Sequence, residues 1–285
     1  MAHLPLSDGT DIPTVFSAAF RCSSTEATKA QVVSFYNAGV RHFEIAELFG
    51  NGHIICEALR EVCSERSELY ITVKIWPKDH KPEELIDATD FLLQSLKLAY
   101  VDLLTVHAPI DVENRTEQYK ALEEMKDRGM TKSIGIVNIS AVMMQDLLKN
   151  CRISPVVYEL ESTPFFQNDD MVEFCADSSI IVMNNEPLGK GILSEKIELL
   201  EIAQKNGISV TKLLILWSFT KKNCVGLPAN NPQIMHEINQ GADGMEQGGI
   251  ETFYKELKEE DMERLANLEM NLQTSWTPTE NIEAE

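Results

Sequence analysis

The chain has 285 residues, 44% hydrophobic and 25% charged, and 45 acidic residues against 25 Lys and Arg give a formal charge of −20. A chain of this length buries a large core without disulfide or metal staples, and its negative field repels nucleic acid and anionic lipid. No apolar run approaches the roughly 18 residues of a membrane span, no basic and then apolar leader opens the sequence, and six scattered cysteines read as reduced thiols. These features predict a cytoplasmic protein with neither nucleic-acid nor membrane partners.

In chain order, short β-rich runs alternate with helical patterns. Strands are expected near 13–19, 42–45, 69–74, 101–106, 132–137, 155–159, 179–184 and 223–227. Helices are expected near 25–38, 51–65, 82–97, 115–128, 140–150, 167–177, 195–221 and 231–240, several with serine or threonine starts and glycine stops. The strands are almost wholly apolar, as when both faces of a parallel sheet are buried. Eight such units predict one α/β domain, a (β/α)₈ TIM barrel, over residues 1–270. An open doubly wound sheet would want a glycine-rich turn after its first strand, and that turn is absent. A long loop is expected over 241–254, a last helix over 259–270, and an acidic tail over 271–285 with Trp276 folded back. Met143, Met144, Met262 and Met270 are expected to face the core. His53 and Cys56, three apart on one helix face, lack the further ligands a metal requires.

Chemistry in such a barrel sits where the strands end. Those positions hold Ala18 and Ala19, Glu44, Lys74, His107, Asn138, Glu159, Asn185 and Ala229. A buried lysine is costly without a carboxylate, and Glu44 is the expected partner of Lys74. The residues alone leave two readings: a catalytic constellation, or a structural ion pair closing the barrel end.

The segments AGVRHFEIAELFGN, YITVKIW, LKLAYVDLLTVHAP, GMTKSIGIVNIS, SPVVYELE, NNEPLGKG and GLPANNP, preceded by DGTDIPTVFSAAFRCS, resemble the aldo-keto reductases in order and spacing from about residue 8 to 240. The resemblance implies a barrel descended from NADPH-dependent carbonyl reductases. It implies too a tetrad in which a tyrosine protonates the carbonyl, a lysine paired to an aspartate lowers that tyrosine's pKa, and a histidine orients the substrate. Lys74 and His107 match; Glu44 replaces the aspartate, and Phe49 stands at the tyrosine position. Phenylalanine has no proton to give, and loss of a positioned acid costs about 10²–10⁴-fold in rate.

The cofactor positions that the resemblance implies are also altered. Phe16-Ser17-Ala18-Ala19 replaces a glycine-rich turn, and Asn138 keeps half of a Ser-Asn pair. Glu159 replaces the glutamine facing the carboxamide, Asn185 replaces the tyrosine that stacks on the nicotinamide, and Ala229-Asn230 replaces the Lys-Ser that grips the 2′-phosphate. NADPH binding is therefore expected to be weak or absent. The reading is a pseudoenzyme with lost or severely reduced carbonyl reduction, kept to bind a small molecule or a protein partner. Two alternatives stand beside it. One is an active NADP(H)-dependent oxidoreductase of aldehydes or ketones with an atypical proton donor. The other is a regulatory subunit similar to the modifier subunit of glutamate–cysteine ligase.

Overall fold

The computed structural model describes residues 2–20, 24–77, 81–107, 114–228, 231, 234 and 256–275. The expected helix at 231–240 and loop at 241–254 fall almost wholly outside them, as do Cys22, Ala229, Asn230 and Trp276. A two-stranded antiparallel hairpin, β1 (His3–Pro5) and β2 (Asp11–Pro13), comes first. Eight parallel strands then close into a barrel: β3 (Val15–Ala18), β4 (His42–Ala46), β5 (Tyr70–Ile75), β6 (Val101–Val106), β7 (Thr131–Val137), β8 (Val157–Leu160), β9 (Ile181–Asn184) and β10 (Cys224–Pro228), with β10 pairing back onto β3. This is the expected (β/α)₈ architecture.

Helices α1 (Thr25–Asn37), α2 (Gly52–Val62), α3 (Leu85–Leu96), α4 (Arg115–Asp127), α5 (Ala141–Asn150) and α6 (Asp169–Asp177) follow the first six barrel strands. The stretch expected as one helix over 195–221 is two, α7 (Ile197–Asn206) and α8 (Val210–Thr220). Gly207 at φ 65° ends the first, and the Ser209 side chain accepts from the Lys212 N–H to start the second. A left-handed glycine stop followed by a serine cap interrupts the apolar periodicity that suggested continuity. Helix α9 (Glu259–Ala266) ends four residues before the expected 270. Met144 is buried, but Met270 is 59% exposed, contrary to the core position expected for it.

Two apolar layers result. The larger joins the outward faces of the strands to the helices. The smaller fills the barrel and its lower end with Leu6, Ile12, Phe16, Leu103, Val157, Met183 and Cys224. Phe16, counted above among the altered cofactor positions, belongs to this plug. Its ring lies 5.0 Å from that of His42, and a Cβ on Gly226 would come within 2.8 Å of it, so the glycine is what admits the phenylalanine. The hairpin β1–β2 packs Leu6 and Ile12 into the same cluster.

The chain beyond 270 is not a free tail as far as Ser275. The buried Glu161 carboxylate accepts from the Thr274 N–H and hydroxyl and from the Ser275 N–H. The Met270 and Leu272 N–H groups donate to the Phe165 carbonyl. A strap thus crosses the loop that follows β8.

Candidate active site

Strand alternation and barrel closure carry three charged side chains to one centre. Glu44 on β4 and Lys74 on β5 lie diagonally across adjacent strands, with Ala46 opposite Lys74. Glu159 on β8 reaches the same ammonium from three strands further round the barrel. Lys74 Nζ is 2.9 Å from Glu44 Oε1 and 2.7 Å from Glu159 Oε1. The three residues are 2%, 4% and 1% exposed. The expected Glu44–Lys74 pair is present. Missed from the sequence was that Glu159 completes a two-carboxylate grip on one lysine.

Each carboxylate uses a single oxygen for its bonds. Glu44 Oε1 also accepts from the Ala19 N–H at 3.0 Å, and Glu159 Oε1 from Asn185 Nδ2 at 2.7 Å. Glu44 Oε2, Glu159 Oε2, Asn185 Oδ1 and His107 Nδ1 are buried without a hydrogen-bond partner. Backbone bonds fix the frame: the Asn138 N–H donates to the Glu159 carbonyl, the Asn185 N–H to Leu160, and the His107 N–H to Ile75. Asn138 takes a left-handed φ of 48° where β7 leaves the barrel.

Two acids around one base cannot both ionise cheaply. Burial pushes Glu44 up, but the Lys74 charge, the Lys74 hydrogen bond, the Ala19 N–H and a hydrogen bond with the Glu159 carboxyl outweigh it and hold the carboxyl below its ordinary value. Burial and then the Glu44 charge raise Glu159 to about 7 against the pull of Lys74. Lys74 is held above its usual range because Glu159 and Glu44 overcome its burial, so it stays charged. Burial and the Lys74 charge press His107 well below its ordinary value, leaving a neutral imidazole.

Phe49 lies in a 3₁₀ turn, Glu47–Phe49, closed by left-handed Gly50. Its ring meets His107 edge-on at 6.3 Å, and Trp76 meets His107 edge-on at 5.3 Å. The structure therefore brings Glu44, Phe49, Lys74, His107, Glu159 and Asn185 to one end of the barrel, with Asn138 beside Glu159. It leaves Ala229 and Asn230 outside the described residues. His53 is exposed while Cys56 is buried, so these two do not present their side chains to a common surface. Among the described residues no helix is long and apolar enough to cross a membrane.

Residues 17–243 match the model of the aldo/keto reductase family. The chain is 25% identical to an NADP-dependent D-sorbitol-6-phosphate dehydrogenase of Malus domestica, over 96% of each chain. It is 27% identical to an uncharacterized oxidoreductase of Bacillus subtilis, over 97% of this chain and 96% of that one. An aldo/keto reductase from Brucella melitensis superposes with a TM-score of 0.83 at 26% identity, covering 94% of this chain and 99% of that one. The chain belongs to the aldo/keto reductase family.

Proposed function

We propose that this member has lost NADPH-dependent carbonyl reduction, or retains very little of it, and serves in the cytoplasm as a binding or regulatory barrel for a small molecule or a protein partner. The observation that carries the reading is the double hold on Lys74. A lysine that assists proton transfer must direct its charge at the group that gives the proton. Here both of its close contacts are carboxylates, at 2.9 and 2.7 Å, and the residue at the acid position, Phe49, has no ionisable hydrogen.

The groups around the mouth do not fit a nicotinamide. Asn185, at the position of a stacking ring, has no flat π surface and folds its amide onto Glu159. Glu159 has no amide N–H to offer a carboxamide, and Lys74 already holds its Oε1. The five described cysteines, none bridged, accord with a reducing compartment.

One observation favours the active alternative: the Glu159 carboxyl keeps its proton up to about 7 and so offers an acid beside Lys74. Assay of 4-nitrobenzaldehyde reduction with NADPH separates the two. We expect no turnover above background in the wild type, and none in Phe49→Tyr, because hydride transfer also needs the ring held in a near-attack position. Recovery should need Asn185→Tyr, Glu159→Gln and Ala229→Lys as well. Turnover in the wild type that Glu159→Gln abolishes would establish the active alternative. Robust turnover in Phe49→Tyr alone would show that the cofactor site is intact.

A further inference from the structure

We propose that the mouth of this barrel binds a small organic ammonium compound through the two carboxylates that flank Lys74. The inference rests on the reading that the site no longer works as a carbonyl reductase, and it names the ligand class of that same site.

A carbonyl-reducing site must donate hydrogen bonds to an oxygen that gains negative charge. Most polar atoms without a partner at this centre have the opposite character. Glu44 Oε2 and Asn185 Oδ1 are buried acceptors without a donor, Glu159 Oε2 becomes one when its proton leaves, and the neutral His107 ring has a single N–H to give. Two carboxylates on a single lysine leave one negative charge over. A ligand cation supplies both the missing charge and several N–H donors to these oxygens. Buried acceptors without donors are costly, which is what makes them evidence of a partner.

The surroundings favour the same chemistry. Phe49 and Trp76, at 6.3 and 5.3 Å from the His107 ring, supply aromatic surface of the kind that attracts ammonium groups. The formal charge of −20 draws cations toward the protein at long range and repels anions such as a dinucleotide.

Without a ligand, the surplus charge is balanced by a proton on Glu159. An ammonium group takes that proton's place, so binding releases it. Glu44 from β4 and Lys74 from β5 set the charge around Glu159, and Asn185 after β9 donates to it; His107 after β6 and Glu186 after β9 feel the charge of Lys74. Burial raises Glu186 too, against the Lys190 N–H that its carboxylate accepts and the charges of Lys190 and Lys74. Lys74 stays charged and His107 neutral between pH 6 and 8, while Glu159, raised to about 7, titrates within that range.

The test is calorimetric titration of the full chain with benzylammonium, benzyl alcohol, benzoate and NADPH at pH 6 and pH 8. We expect benzylammonium to bind at least about tenfold tighter than the isosteric alcohol, and benzoate not to bind. We also expect its affinity to rise severalfold from pH 6 to pH 8. In Glu159→Gln, which keeps the shape and removes the charge, affinity should fall about tenfold and lose its pH dependence, a change of about 1.4 kcal/mol. Equal affinity for the ammonium and the alcohol, or unchanged affinity in Glu159→Gln, would overturn the proposal. If NADPH also fails to bind, the loss-of-reductase reading survives that result. Tight NADPH binding would instead overturn the reading on which the proposal rests.

Discussion

The two ends of the barrel treat their carboxylates differently. At the lower end, Asp8 accepts from the Thr10 N–H and hydroxyl, from Ser133 at 2.8 Å and from Lys126 at 2.6 Å. Asp102 accepts from Arg66 at 2.7 Å, from Lys132 at 2.8 Å and from the Ile71 N–H at 2.9 Å. Both oxygens of each acid are filled, and each acid has at least one cation of its own. At the upper end, Glu44 and Glu159 share one lysine and leave an oxygen each unfilled. The lower arrangement is what a fold does with charge when stability alone is served. The upper one is what remains when part of the satisfaction is left for something else. A buried polar group without a partner carries more functional information than a fully bonded one, because stability alone does not keep it.

Lys74→Met breaks this contrast most severely. It strands two buried carboxylates at once, and removing one partner of a buried pair costs roughly 3–5 kcal/mol. Melting should fall far more at pH 8 than at pH 5, where protons can replace the lost cation. Melting unchanged at both pH values would show that the three residues do not form a coupled centre.

Asp102→Asn probes the satisfied end. It removes the charge that Arg66 and Lys132 share and should cost about 1.5–3 kcal/mol, read as a lower urea midpoint. Glu159→Gln probes the unsatisfied end and should act in the opposite sense. Glu159 has a folded pKa near 7 against an ordinary 4.5. Its ionisation therefore opposes folding, and its contribution to stability is lost as pH rises from about 4.5 to 7. Glutamine imitates the protonated form, so the variant should gain on the wild type at pH 8, by up to roughly 3 kcal/mol, and gain little at pH 5. Destabilisation by Glu159→Gln at pH 8 comparable to that of Asp102→Asn would mean that both ends serve stability alone.

Most of the barrel was legible in the sequence because parallel strands buried on both faces leave continuous apolar runs, such as VDLLTV at Val101–Val106. The hairpin β1–β2 was not, since three-residue strands carry too little periodicity to stand out. The long helix was misread because its apolar pattern runs on across Gly207, and only the capping chemistry marks the break. At the site, Glu44 and Lys74 could be paired from strand order, being on neighbouring strands. Glu159 could be named as altered but not placed on Lys74, because 85 residues separate them and only closure of the barrel brings them together. Phe16 was read from its motif as a replaced residue of a cofactor turn, and its packing could not be read there: the space at Gly226 admits its ring to the core. Glu161 carried no signal, since its partners, Thr274 and Ser275, lie in a segment without regular structure.

The most direct test of the central claim, that this mouth has exchanged reductase chemistry for another use, is a fluorescence titration of the wild-type chain with NADPH. The altered positions each remove a contact of roughly 0.5–3 kcal/mol, and every 1.4 kcal/mol is tenfold in affinity. The account predicts no saturation below about 1 mM. A dissociation constant below about 10 μM would contradict it.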